Sequence, residues 1–131
     1  MPRVDFSNVT DFKPIPEGTY DVTLSGAKVI AESKSSGQPY VELTFTVAEG
    51  EYAGRRLFRN FSLQPQALWA FKKAMVRLGS DPDNFVGELD LSDIEMLCAD
   101  CVGSPARIVV ALRDYEGQQR NDVKTVLGPE F

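Results

Sequence analysis

From residue 40 onward apolar and polar side chains alternate strictly. Val41, Leu43, Phe45 and Val47 interleave with Tyr40, Glu42, Thr44 and Thr46, a period of two that places the apolar set on one face of a half-buried strand. The turn sequence EGEYAG follows, with Gly50 and Gly54 able to supply positive φ, and strand-like sequence resumes at Arg55 and runs to Leu63. Residues 37–63 therefore predict one long β-hairpin. In its second arm Leu57, Phe61 and Leu63 share the core face, while Arg56 and Phe58 share the other.

The flanking segments extend the pattern. Residues 1–15 carry scattered Val4, Phe6, Val9 and Phe12 before Pro14 and Pro16, and read as an extended arm laid on the domain. Tyr20, Val22 and Leu24 alternate with Thr19, Asp21 and Thr23, giving a first strand over 18–30 with Gly26 as a bulge or bend. The polar, turn-forming stretch 32–38 links it to the hairpin. After residue 65 the period lengthens. Leu68, Phe71, Met75 and Leu78 define one face of a helix over 66–78, with Gly79 at its C-cap. A second helix is expected to open at Ser92 with Glu95 as a capping box and to stop near Val102, before Gly103 and Pro105. Residues 106–112 and 121–127 then predict two strands around a polar loop at 113–121.

These elements make one domain: the arm 1–15, strands one to three in 16–64, a helical insert in 65–103, and strands four and five in 104–131. Three strands, helices, then two strands is the ordering of the oligonucleotide-binding barrel, and a long first strand that must curve agrees with it. The predicted fold class is therefore mainly β, a five-stranded barrel of that type with a helical insert between strands three and four. A five-stranded sheet packed by helices on one face is the simpler alternative. In such a barrel, strands two and three and the loops at 32–38 and 113–121 form the ligand surface. Arg59 falls on the core parity. It requires either a place at the barrel rim, with a buried stem and a wet guanidinium, or a bulge that shifts the register.

Composition narrows the chemistry. The 131 residues, 43% hydrophobic and 25% charged, suit a globular domain long enough to bury a core without metal or disulfide staples. Residues 1–10 lack the apolar core of a signal peptide and no apolar run approaches a membrane span, so a cytoplasmic protein without a membrane partner is expected. The net charge of −5 argues against broad electrostatic binding to nucleic acid but leaves room for a local basic groove. Histidine is absent, which removes the usual general base and the commonest zinc ligand. Cys98 and Cys101 form a C-x-x-C that lacks two further ligands for zinc. It lies near the end of its predicted helix, away from the N-terminal dipole that would activate a thiol, so buried packing is the expected role. The carboxylates between Asp81 and Glu95 lack the spacing of a calcium loop and read as a solvated surface. No catalytic residue, cofactor or metal site is expected.

The candidate chemistry is in the hairpin. Arg55, Arg56 and Arg59 interleave with Phe58 and Phe61, and cations among aromatic rings are what a backbone-tracking, base-stacking surface needs. The alternative for Arg55 and Arg56 is a solvated turn with surface charges. Lys34 and Arg113 add charge in the two flanking loops. Tyr40, Tyr52 and Tyr115 are either stacking platforms or ordinary amphipathic surface aromatics. Trp69 lies off the helical stripe and is expected to pack against a barrel end or the arm.

The segments PIPEGTYDVTL and SGQPYVELTFTVAEGEYAGRRLFRNFSL, with the helix after them, resemble a family of small bacteriophage proteins related to phage single-stranded DNA-binding proteins. The resemblance covers about residues 12–80 well and the last two strands more loosely. Its most specific part is EGEYAGRRLFRNF, where glycine-flanked turn residues and cations precede an aromatic, Asn60 and Phe61. It implies a barrel that coats single strands in phage replication or recombination without reading sequence, and it adds Asn60 to the candidate nucleic-acid contacts. Two alternatives stand beside it: a barrel that docks another protein, and a thiol-dependent enzyme built on Cys98 and Cys101. The tip Pro129, Glu130 and Phe131 reads as an ordinary chain end or as a short acidic docking peptide for a replication or recombination protein. Assembly as a homo-oligomer is left open.

Overall fold

The computed structural model describes residues 14–34, 37–115 and 117–128. Alternation in the sequence becomes five strands: β1 (Gly18–Ile30), β2 (Tyr40–Val47), β3 (Arg56–Ser62), β4 (Pro105–Tyr115) and β5 (Gln118–Leu127). Between β3 and β4 lie two helices, α1 (Leu68–Arg77) and α2 (Leu91–Cys101), each preceded by a short 3₁₀ turn. The fold is thus mainly β, with five antiparallel strands in one sheet of order β3-β2-β1-β4-β5. Its hydrogen-bond ladder is not closed into a barrel, so β3 and β5 are edges. Those edges nonetheless come within 8 Å of each other, Cα to Cα.

The long first strand serves two partners. Gly18–Thr23 pair with β4, and Val22–Ile30 pair with β2. The two regions overlap at Val22 and Thr23, and within the second Ser25 is the extra residue of a bulge, since Leu24 faces Phe45 and Gly26 faces the adjacent Thr44. The bend expected at Gly26 is therefore present. Gly103 N–H donates to Leu24 O at 2.7 Å, and Leu24 N–H to Ser104 O at 2.9 Å, fastening the chain leaving α2 to the bend. In the β2–β3 turn both Gly50 and Gly54 are left-handed, at φ 87° and 89°, as the hairpin required.

Val22, Leu24, Val41, Leu43, Phe45 and Ile108 are almost fully enclosed, and Phe71, Met75, Cys98 and Cys101 reach them from the helices. α2 packs on β1, while α1 lies under the gap between β3 and β5 and contacts both. Ile15 is completely buried; its N–H donates to Asn121 Oδ1 and its carbonyl accepts from Asn121 Nδ2, each at 2.8 Å. Of the expected arm only Pro14 and Ile15 are among the described residues, and positions 1–13 fall outside them.

Three local expectations need correction. The box that opens α2 is Asp90 with Asp93, not Ser92 with Glu95: Asp93 N–H donates to Asp90 Oδ1 at 2.9 Å and Asp90 N–H to Asp93 Oδ2 at 3.2 Å. Ser92 only supports it, donating its hydroxyl to Asp90 Oδ1. The loop expected at 113–121 is mostly strand, because β4 runs to Tyr115 and β5 begins at Gln118. Trp69 packs into no core; it is 68% exposed.

Candidate nucleic-acid interface

The register of β1, β2 and β3 arranges their outward residues in rows. Thr23, Thr46 and Arg56 form the first; Gly26, Thr44 and Phe58 the second; Lys28, Glu42 and Asn60 the third; Ile30, Tyr40 and Ser62 the fourth. No described helix covers this face. β3 keeps an unbroken register with β2, so its alternation is direct: Leu57 and Phe61 are buried, and Arg56, Phe58, Asn60 and Ser62 are exposed. Phe58 is 56% exposed, an unusual position for a large ring on a sheet. Its register partner on β2 is Thr44, which in turn faces Gly26 on β1.

The third and fourth rows run into an open groove of about 930 Å³ between the sheet and the β1–β2 connection. Tyr40 and Asn60 line it from the sheet, and Lys28 and Lys34 supply its positive charge. Glu32 and Glu42 line it too, so the groove is close to neutral. Four of the expected contacts are therefore brought onto one surface with Lys34: Tyr40, Arg56, Phe58 and Asn60.

The others are elsewhere. Arg55 sits half-buried at the end of the β2–β3 turn, its carbonyl accepting from Val47 N–H at 2.9 Å. Tyr52 meets Tyr20 edge to face, with centroids 6.2 Å apart, and Tyr20 belongs to the inner face; the ring closes the end of the sheet and is no part of the outer rows. Burial, with Tyr52 and Glu51 close by, raises the Tyr20 hydroxyl above the usual tyrosine range. Arg113 is on β4 opposite Arg120 and stands 4.0 Å from the Asp122 carboxylate. Tyr115 ends β4, paired with Gln118. Both lie beyond the end of the sheet where β1 begins, whereas Lys34 and Tyr40 are at the end where β1 finishes. The tip 129–131 lies outside the described residues.

Arg59 takes the rim position. Its side chain is half-buried on the inner side of the β3 edge, with the guanidinium 5.1 Å from the centroid of the Phe61 ring. Cys98 and Cys101 are buried free thiols on α2. Burial raises both, and together with Cys101 and Glu95 it pushes Cys98 up to about 11, so at neutral pH this thiol is protonated and a poor nucleophile. Among the described residues no three His, Cys, Asp or Glu side chains gather as metal ligands, and no helix is long and apolar enough to cross a membrane.

Over residues 2–128 the chain matches a family described as a protein of unknown function, DUF669. No curated protein matches it.

Proposed function

The chain belongs to the DUF669 family, and from the geometry of its sheet we propose that it is a non-enzymatic protein that binds single-stranded DNA without reading sequence. One observation carries this reading. The uncovered face of β1–β3 sets Arg56, Phe58, Asn60 and Tyr40 in consecutive rows that lead into a groove holding Lys28 and Lys34. Bases stack on exposed rings whatever their identity, and cations beside the rings follow the phosphates, so affinity arises without base-edge readout.

The strand order supports an oligonucleotide-binding barrel as the finer description. A sheet ordered β3-β2-β1-β4-β5 whose β3 and β5 edges approach each other, with α1 under the seam, has the strand arrangement from which a partly open five-stranded barrel would be built. The EGEYAGRRLFRNF segment, with its likeness to phage single-strand binders, supports replication or recombination of phage DNA inside a bacterial host as the setting. Protein partners of that machinery are the corresponding expectation.

A second reading has its own observation. Glu32 and Glu42 offset Lys28 and Lys34 in the groove, and a near-neutral groove with aromatic and amide walls also suits a docked polypeptide. A gel shift with oligothymidine at low salt separates the two. Retardation is expected; no retardation at high protein concentration removes the DNA reading and leaves the protein-docking one.

A further inference from the structure

The seam between the β3 and β5 edges carries charge of a different kind from the groove. Arg59 reaches it from β3, Lys124 from β5, and Lys73 and Arg77 from α1, around a cleft of about 180 Å³. No Asp or Glu is among its described lining residues. Trp69, Lys73 and Arg77 follow one another at intervals of four residues, which puts them on one stripe of α1 along the cleft.

Each group is set for an anion. Arg77 Nη1 donates to Val126 O at 2.7 Å, which anchors the guanidinium at the cleft. Arg59 is steadied over Phe61, while Lys73 and Lys124 are exposed. Four cations gathered in a chain of net charge −5 repel one another, and a polyanion relieves that repulsion. At the rim of the same cleft stands Trp69, a 68% exposed ring beside the cations. An aromatic face next to clustered positive charge is the pairing that holds single strands.

We propose that the seam is a second contact for single-stranded DNA, in which Arg59, Lys73 and Lys124 neutralise phosphates and Trp69 stacks a base. The inference rests on the single-strand reading above. The path between the two surfaces is short, because Phe58 and Arg59 are consecutive residues on opposite faces of an edge strand.

Trp69 is the single Trp of the chain, so its fluorescence reports on the seam alone. The full chain is titrated with oligothymidine while Trp emission is followed, and in parallel the anisotropy of a dye-labelled oligothymidine is read at several salt concentrations. Quenching that saturates together with anisotropy is expected. The double variant Lys73→Ala/Lys124→Ala should keep its thermal midpoint, since both side chains are exposed, and flatten the plot of log affinity against log salt by about 1.4, or about 0.7 for each of two contacts. Anisotropy that rises without quenching, with an unchanged slope in the double variant, overturns the seam and leaves the outer face as the binding surface. If wild-type protein gives no anisotropy change at low salt, the single-strand reading itself fails and the seam proposal fails with it.

Discussion

Replacing Phe58 by Ala separates a binding ring from a core ring. Phe58 is 56% exposed, so less than half of its surface is withdrawn from water by the fold. If an aromatic side chain has roughly 200 Å² to bury, the withdrawn part is roughly 90 Å², about 2 kcal/mol at about 25 cal/mol/Å². Alanine keeps some of that burial, and the expected loss of folding free energy is about 1–2 kcal/mol. Binding should suffer more visibly. Loss of a stacked base costs about 1–3 kcal/mol, which raises Kd about 5- to 150-fold. Phe61, two residues on, is the internal control: it is 7% exposed and packs against Phe71 with centroids 6.1 Å apart. Phe61→Ala should cost about 3–5 kcal/mol of stability. Urea unfolding gives the stabilities and anisotropy with oligothymidine gives the affinities, both measured where each variant is folded. Wild-type affinity in folded Phe58→Ala, with a stability loss like that of Phe61→Ala, would refute the assignment of faces in β3.

Further outcomes follow from particular contacts. Arg56→Ala and Lys34→Ala should each weaken binding alike for all sequences and flatten the salt dependence by about 0.7, read by anisotropy at varied salt. Asn121→Ala leaves the N–H and C=O of buried Ile15 without their partner and should cost roughly 1–3 kcal/mol in urea unfolding. The raised Cys98 thiol sets an alkaline limit: the unfolded chain releases this proton near pH 9 and the folded chain only near 11, so the contribution is full below pH 9 and fades as pH climbs through about 11. Thermal midpoints should therefore fall over that window, and Cys98→Ala should flatten the decline. Asp90 moves the other way. Hydrogen bonds from Ser92 and from the Asp93 N–H hold its carboxyl below the usual range, so its contribution is present above that range and is lost on acidification. Asp90→Ala should lower the thermal midpoint at neutral pH, and the gap from wild type should shrink as the pH falls below the usual carboxylate range.

The strands that bury one face against the core were legible because burial imposes a period of two; β1, β2 and β3 and the outward position of Phe58 follow from it. The end of the β4–β5 hairpin was not. Arg113 faces Arg120 and Asp114 faces Gln119 beyond the point where β1 begins, so little apolar alternation marks them as strand. The start of α2 was misplaced because Asp90 with Asp93 and Ser92 with Glu95 are overlapping pairs at the same spacing, and which one caps depends on where the chain turns into the helix. The places of Arg59 and Trp69 are not legible in the sequence for a shared reason. Each is explained by the seam between two edges that are far apart in sequence, β3 and β5. Tyr52 shows the same limit, since its partner Tyr20 lies on another strand.

The central claim, a surface that holds single strands through rings and phosphates, is tested most directly by the affinity of the intact chain for oligothymidine and for a mixed-sequence single strand as salt is varied. Similar affinities for the two are expected, with a fall in log affinity against log salt whose slope is at least as steep as about −2, about 0.7 for each of Arg56, Lys28 and Lys34. Duplex of the same sequence should bind more weakly, because its bases are not free to stack on Phe58. Absence of binding to either single strand at low salt, or an affinity indifferent to salt, would contradict it.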